Sequence, residues 1–590
     1  MSAAPIGDPR RASVLGLLAA LAASAVVVLL LTWRTPTPIL SYDDIFRTRF
    51  AHDWAVSPYF FTERLVWLPL PLIATGLAMR VTGEALGTAL AVNLLATALA
   101  IGFVHRVADR LFGPLAAWTA ATLFGLTPWV VFLALSRYSE PVMLATTAAG
   151  VHYWLRWSDA HRGRDLAWAG LALGAAVLTR YEAWPLGLAL PVHVGAMLMR
   201  EHRVPTERRV GASGLWSALP AALMATWAAK NLSVYGTPVY GGAFGFLPDS
   251  APAGVLGGAA LTLRYLWELS PLVSALAVLG ALLAWRRGAP LIGFAVLAAL
   301  VPWYTVSLFR VEVALQVRLM LLPLMLLAPL AGALTPWLGR RWRPAVLLVP
   351  AMVAAQFAAD LGLAHPGHDL PMTRLALRLQ ADGTLGRFDS IYVESPRPIG
   401  YPDEVRVATN FRRDVGVMVD SSAAPWRGTR AESIIVFNDG KAPPGGPAGN
   451  AFVVSREGAM TAWGVCDARE EPRAEWLGVS VPSALVAGGR AVVRVTLKNA
   501  GAEAWRMTAC APAIEARWRG DGGAVAPVRV ALSGPVAPGG TTTAEIPIHA
   551  PSGAGEYALD LDLVGGGAPP DRARRGNPAS QTVRVTRERR

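Results

Sequence analysis

The sequence predicts a polytopic α-helical membrane protein of about eleven transmembrane helices, followed by a small α/β module and an all-β sandwich. Three observations predict it. Of the 590 residues, 53% are hydrophobic and only 16% charged, whereas a chain facing water throughout carries near one-quarter charged residues. Long apolar runs crowd residues 1–361, while 370–590 read as ordinary globular sequence. The short loops between the runs alternate in charge. Gly (57) and Pro (45) stay below the share that marks disorder, and two cysteines exclude both a disulfide scaffold and a Cys-type zinc site.

A spanning helix needs about 17–25 mainly apolar residues, or somewhat fewer where protein surrounds it. The candidates are 13–33, 88–104, 115–135, 141–155, 166–179, 183–199, 213–230, 271–285, 289–307, 319–337 and 344–361. One set of loops is Arg-rich: Arg10 and Arg11, Arg106 and Arg110, Arg156 to Arg164, Arg200 to Arg209, Arg286 and Arg287, and Arg340 to Arg343. These carry sixteen Arg against six acids, most of the chain's net charge of +13. Short basic loops stay on the cytoplasmic side. The positive charge is therefore a topology signal, and nucleic-acid binding is discarded.

Alternation holds only if 65–80 (LVWLPLPLIATGLAMR) does not cross fully. The run is short and broken by Pro69 and Pro71, which fits an interfacial or re-entrant helix. The N-terminus then lies inside and the C-terminus outside. Arg10 and Arg11 before the first run resemble a signal peptide, but the apolar stretch is long and no small-residue cleavage site follows, so the segment is expected to stay.

Ionisable residues near membrane depth are costly and mark functional sites by default. This topology gathers Asp43, Asp44, Arg47, Arg49, His52, Asp53, Glu63 and Arg64 on the outer side. Arg137-Tyr138-Ser139-Glu140 and Arg180-Tyr181-Glu182 join them, with Lys230, Arg264, Glu268, Arg310, Glu312 and Arg318. Adjacent carboxylates such as Asp43 and Asp44 suit a general base and a neighbour that orients it or binds a cation. Equally, Ser41 or Asp43 could cap a helix beginning near Ile45. For any one of Lys230 or the Arg residues, snorkelling at a helix end competes with a binding role.

The order of features across roughly 10–361 resembles the polyprenyl-phosphate-dependent, type C glycosyltransferases, the group of protein O-mannosyltransferases and aminoarabinose transferases. The resemblance rests on the Asp43-Asp44 pair, WLPLPL (67–72), RLFG (110–113) and PWVVFLALSRYSE (128–140). LTRYEAW (178–184), KNLSVYGTP (230–238) and VRLMLLPLMLLAPLAG (317–332) complete it. It implies Asp43 as the base that activates an acceptor hydroxyl, Asp44 as its orienting or cation-binding neighbour, and Glu140 as a second catalytic acidic position. Arg180, Lys230 and Arg318 would lie near the lipid-linked phosphate. The chain departs from the mannosyltransferase pattern in carrying Asp-Asp where Asp-Glu is common, and Arg-Leu at 318–319 where many relatives carry Arg-Tyr. The implied partners are a polyprenyl-phosphate-linked sugar, an envelope acceptor and membrane lipids; a divalent cation is possible as cofactor. The implied place is a bacterial inner membrane.

That chemistry needs cations. Sugar transfer passes through an oxocarbenium-like state, and the carrier phosphate leaves as an anion that fixed positive groups stabilise. Arg suits bidentate phosphate contact and Lys acts as a point charge. No phosphate-binding loop and no dinucleotide fingerprint occurs, consistent with a donor that is not a nucleotide sugar.

Weaker signals have blander readings. His365 and His368 fit an exposed linker better than a metal site. Trp67, Trp129, Trp184 and Trp303 sit at span ends, where an aromatic belt accounts for them.

Beyond the membrane part, 370–465 carries strand-like runs at 390–395, 415–420 and 433–439, and reads as an exported α/β module. From 474 to 590, strands recur at regular spacing (WLGVSV, AVVRVTLKN, AIEARWR, VRVALS, TTTAEIPIHA, EYALDLDLV), the signature of a sandwich, ending in a basic tail. KNAGAEAW (498–505), VAPGG (536–540) and APSGAGEYALDLDL (550–563) resemble bacterial immunoglobulin-like domains. Trp505 and Trp518 read as core. Cys466 and Cys510 fall in different modules of this exported half, where a disulfide is chemically permitted.

Two other functions compete with glycosyl transfer. A transporter or flippase for a lipid-linked saccharide would also place charges in a cavity, but inverted repeats are not evident. For a membrane-anchored binding protein, eleven spans are more than an anchor needs.

Overall fold

The computed structural model describes residues 9–34, 42–59, 67–200, 206–236, 254–308, 314–341, 371–388, 390–394, 401–411, 415–418, 433–438, 451–457, 460–466, 473–502, 504–505, 512–520, 525–564 and 579–587. The expected span at 344–361, the His365/His368 pair and Cys510 lie outside these residues. The chain divides into two compact units, Met1–Asp369 and Leu370–Arg590.

The first unit is helical: α1 (Pro9–Arg34), α2 (Tyr42–Val56), α3 (Leu70–Thr82), α4 (Leu86–Phe112), α5 (Pro114–Gly125), α6 (Pro128–Leu135), α7 (Glu140–Ala160), α8 (Gly163–Val177), α9 (Trp184–Arg200), α10 (Thr206–Tyr235), α11 (Gly254–Leu269), α12 (Pro271–Leu283), α13 (Trp285–Leu308), α14 (Leu321–Gly332) and α15 (Leu334–Arg341). Short 3-10 turns, Tyr181–Ala183 and Ala314–Met320, precede α9 and α14.

Proline sets many of the starts. Pro114, Pro128, Pro141 and Pro271 stand in first turns, where a missing N–H costs nothing and the fixed φ is already helical. Pro128 also breaks the expected span 115–135 into α5 and α6, bent by 61°. A second bent pair is α11 and α12, at 110°.

By length and apolarity, four helices among the described residues can cross a bilayer, or six if each bent pair is one span. Eleven is not reproduced by that measure. The difference lies in α7, α8 and their neighbours, which carry Ala, Gly, Thr and occasional charges because protein covers much of their surface. α7 packs between α4 and α8, with Leu144, Val151, Trp154, Leu166 and Leu173 buried. Glycine permits the closest approaches. A Cβ on Gly170 of α8 would lie 2.1 Å from the Trp216 carbonyl oxygen of α10, and one on Gly280 of α12 would lie 1.8 Å from that of Leu330 on α14. Small residues at such crossings take the role that hydrophobic exclusion plays in water. The Pro-rich segment folds as the short apolar α3, packed on α2.

In the second unit, α16 (Pro371–Ala381) and α17 (Tyr401–Ala408) accompany a mixed five-stranded sheet. Its order is β2 (Val415–Met418), β1 (Ser390–Glu394), β3 (Ser433–Asn438), β5 (Met460–Cys466), β4 (Ala451–Glu457). β1 is parallel to β2 and β3, and the β4–β5 hairpin adds antiparallel strands. That hairpin was not among the expected strands.

Two further sheets follow. One is β10 (Val528–Ala531), β9 (Ala513–Arg519), β12 (Gly555–Val564), β13 (Ala579–Thr586), β7 (Ala484–Val486); the other is β11 (Thr541–His549), β8 (Arg490–Asn499), β6 (Ala474–Ser480). Val493, Val495, Leu497, Ile546 and Ile548 of the smaller sheet share one core with Ile514, Leu559, Leu561 and Val583 of the larger. Trp505 joins that core, and Trp518 packs at its edge with Nε1 donating to the His549 carbonyl at 2.8 Å. The segment read as a basic tail contains β13, which runs antiparallel to β12 and parallel to β7.

Candidate active site

α2 begins at Tyr42, earlier than Ile45, so Asp43 and Asp44 both stand in its first turn. Successive helical residues point about 100° apart, and the two carboxylates part company. Asp44 is fully buried and accepts the Arg137 backbone N–H at 2.6 Å. The Asp43 side chain is 36% exposed and meets Arg318 Nη2 at 3.4 Å.

Arg137 belongs to the bend between α6 and α7. Asn93 of α4 fixes that bend, its Nδ2 donating to the Ser136 and Tyr138 carbonyls at 2.8 Å each. Glu140 is the first residue of α7 and fully buried, at the helix end where the macrodipole favours negative charge. Arg180 Nη1 stands 3.0 Å and Arg318 Nε 3.3 Å from the same oxygen, Glu140 Oε1. Arg180 also bonds Glu182 Oε1 through Nε (2.8 Å) and Nη2 (2.7 Å), and donates to Ser139 Oγ at 3.3 Å. Burial alone would weaken the charge on Arg180, but Glu140 and Glu182 outweigh it and hold the guanidinium above its ordinary value.

Arg318, on the 3-10 turn before α14, lies with its guanidinium 4.5 Å over the Tyr138 ring. Arg47 of α2 is buried and stacks 4.6 Å over Trp67, so Trp67 has a partner in the site that an aromatic belt does not require. Arg47 Nε and Arg318 Nη1 have no hydrogen-bond acceptor among the described residues. Four carboxylates (Asp43, Asp44, Glu140, Glu182) thus meet four guanidiniums (Arg47, Arg137, Arg180, Arg318) at one end of the helical unit. Neutrality within the cluster is what makes so many buried charges tolerable.

The expected residues are therefore mostly brought together. Asp43, Glu140, Arg180 and Arg318 form one ion-pair network; Asp44 adjoins it through Arg137. Lys230 stands aside on α10, its Nζ 4.7 Å over the Trp227 ring. Its helix reaches the network through Tyr181, whose hydroxyl takes hydrogen bonds from Trp227 Nε1 (3.2 Å) and Asn231 Nδ2 (3.4 Å). Arg264 and Glu268 pair with each other on α11. Among the described residues no three His, Cys, Asp or Glu side chains gather so as to hold a metal ion. Sequence reasoning placed Arg47 and Arg137 on this side without assigning them a task. It missed Tyr138 as a stacking platform, although that residue lies between two of the singled-out positions.

A family model described as dolichyl-phosphate-mannose-protein mannosyltransferase matches residues 67–227, the stretch that carries Glu140 and Arg180. Among solved structures, ArnT from Cupriavidus metallidurans bound to undecaprenyl phosphate is similar at a TM-score of 0.50 and 14% identity, over 76% of this chain and 98% of that one. The membrane unit has the type C glycosyltransferase fold. In its apo state ArnT gives 0.49 at 13% identity, with the same coverage of 76% and 98%. The oligosaccharyltransferase AglB from Archaeoglobus fulgidus, in complex with an inhibitory peptide and a dolichol-phosphate, gives 0.39 at 12% identity over 71% of this chain and 69% of that one. No curated protein sequence matches. The chain resembles the polyprenyl-phosphate-dependent type C enzymes and is a multi-pass membrane protein. On the type C fold, the charged network occupies the first turn of α2, the α6–α7 bend and the turns before α9 and α14.

Proposed function

We propose that this protein is a membrane glycosyltransferase that moves a sugar from a polyprenyl-phosphate donor to an envelope acceptor. It works on the non-cytoplasmic side of a bacterial inner membrane. The observation that carries the reading is the partly exposed Asp43 carboxylate on Arg318, a guanidinium that shares one buried glutamate with Arg180.

Asp43 takes the proton of the acceptor hydroxyl as its oxygen bonds to the anomeric carbon. The bond from that carbon to the phosphate oxygen breaks, and its electron pair leaves with the polyprenyl phosphate. Arg318 and Arg180 face that departing charge, where preorganised donors are most effective. The uncommitted N–H groups of Arg318 and Arg47 supply further donors. Glu140 is a positioning residue in this scheme: buried behind both guanidiniums, it holds them without touching substrate. Asp44 fixes the Arg137 bend. Lys230 serves the donor phosphate from the side, as a point charge. The exported half, with its two-sheet immunoglobulin-like domain, binds or spaces the acceptor.

The test is transfer by full-length protein in liposomes, supplied in parallel with sugars on polyprenyl phosphate and on nucleotides. Transfer from the lipid-linked donors alone is expected. Transfer from a nucleotide sugar alone, or movement of intact lipid-linked sugar across the bilayer without bond cleavage, would overturn the reading.

A further inference from the structure

The other end of α4 and α7 carries a second charged cluster, built differently. Glu140 opens α7 and Arg156 follows sixteen residues later, about 24 Å along the helix axis. Around Arg156 the rings of Phe103, Tyr153 and Trp168 form a continuous aromatic face. Tyr153 of α7 lies between the other two rings, 6.2 Å from Phe103 on α4 and stacked 6.1 Å from Trp168 on α8. Two guanidiniums lie on it: Arg106, 5.8 Å over Phe103, and Arg156, 5.7 Å over Tyr153.

Among the described residues, the carboxylates around this face are already engaged. Ser13 Oγ donates to Asp109 at 2.8 Å, Asp159 pairs with Arg110, and Asp165 pairs with Arg156 at 3.1 Å. Arg106, which is exposed, has no carboxylate partner among the described residues. From Arg106 the outward stripe of α4 continues through Phe103 to the exposed Leu99 and Leu95, the latter two roughly 10 Å and 16 Å along the helix. Trp168, at 51% exposure, continues the face onto α8. A cation pair at the end of an exposed apolar and aromatic face matches a molecule with an anionic head and an acyl chain.

We propose that this face binds an anionic glycerophospholipid of the bilayer, its phosphate on Arg106 and Arg156 and one chain along Leu99 and Leu95. A membrane residue anchors such a head by charge and its chain by apolar contact, and each Lys or Arg near the surface strengthens anionic-lipid attraction about fivefold. The site is separate from the Asp43 network and does not rest on the transfer reaction.

The experiment is native mass spectrometry of the full-length protein exchanged against dioleoylphosphatidylglycerol or dioleoylphosphatidylcholine. Wild type is expected to retain one phosphatidylglycerol in preference to phosphatidylcholine. Arg106→Ala should lower that preference about fivefold, and Arg106→Glu should remove it. Arg286→Ala, which deletes an exposed arginine elsewhere, should leave it unchanged. Because Arg106 holds no carboxylate among the described residues, its removal strands no described buried charge; should Arg106→Glu fail to fold, Arg106→Gln and Arg106→Ala decide. No head-group preference in wild type, equal losses in Arg106→Ala and Arg286→Ala, or release of the lipid by millimolar inorganic phosphate would each overturn the proposal.

Discussion

The Asp44 carboxylate accepts the backbone N–H of Arg137 at 2.6 Å, joining residues 93 positions apart in the chain. The bond gives the two adjacent aspartates different tasks: one pins the bend that presents Tyr138 and Glu140, and the other faces outward. Asp44→Asn retains an acceptor oxygen, so turnover should stay within about tenfold of wild type, well short of a general base's full contribution. Asp44→Ala removes the acceptor and leaves a buried Arg137 guanidinium less compensated, a loss on the order of 3–5 kcal/mol. Thermal unfolding in detergent should show Asp44→Ala as markedly less stable than Asp44→Asn. Equal stability of the two would remove the pinning role.

Glu140→Gln separates bracing from chemistry. The substitution keeps shape but leaves Arg180 and Arg318 facing each other across a neutral group. Hydrogen bonds to charged groups contribute about 1.5–3 kcal/mol, so the donor KM should rise on the order of tenfold or more, with kcat falling less. A donor titration reads this directly. An unchanged KM with a collapsed kcat would make Glu140 a participant in the chemistry.

Arg318 and Lys230 should not be equivalent. Arg318 touches Asp43 and Glu140, whereas Lys230 lies over Trp227. Arg318→Ala is therefore expected to weaken donor use by roughly tenfold or more, as loss of a charge-assisted contact does, and Lys230→Ala by clearly less. Steady-state kinetics with a polyprenyl-phosphate sugar compares them, and a larger effect at Lys230 would shift the phosphate site toward α10.

Much of this site was legible in the sequence because charge fixes sidedness. Once the Arg-rich loops share one side, Asp43, Glu140, Arg180 and Arg318 must share the other, and the structure joins them. Partner choice was not legible: Arg318 and Asp43 are 275 positions apart, and which atoms meet depends on how each helix is rotated in the bundle. The start of α2 was also hidden, since acidic residues suit a cap and a first turn equally well. The eleven expected spans are not reproduced by length and apolarity alone, because helices such as α8 bury themselves in protein and so need less apolarity. In the second unit, β13 keeps an alternating pattern, with Val583 and Val585 inward, but its Arg and Thr content made it read as tail. Strands β1, β2 and β3, and β6, β8, β9, β10, β11 and β12, fall on the expected runs because strand patterning is a local signal, whereas the β4–β5 hairpin was not read.

The most direct measurement is single-turnover sugar transfer by Asp43→Asn in liposomes, with donor binding measured on the same preparation. Asn keeps the size of the side chain and part of its hydrogen bonding but cannot take the acceptor proton. Turnover should fall about 10²–10⁴-fold, the usual contribution of a general base, while donor binding stays near wild type because Glu140 still holds Arg180 and Arg318. Near-normal turnover in Asp43→Asn would contradict the account and return the residue to the first turn of a helix with no part in the chemistry.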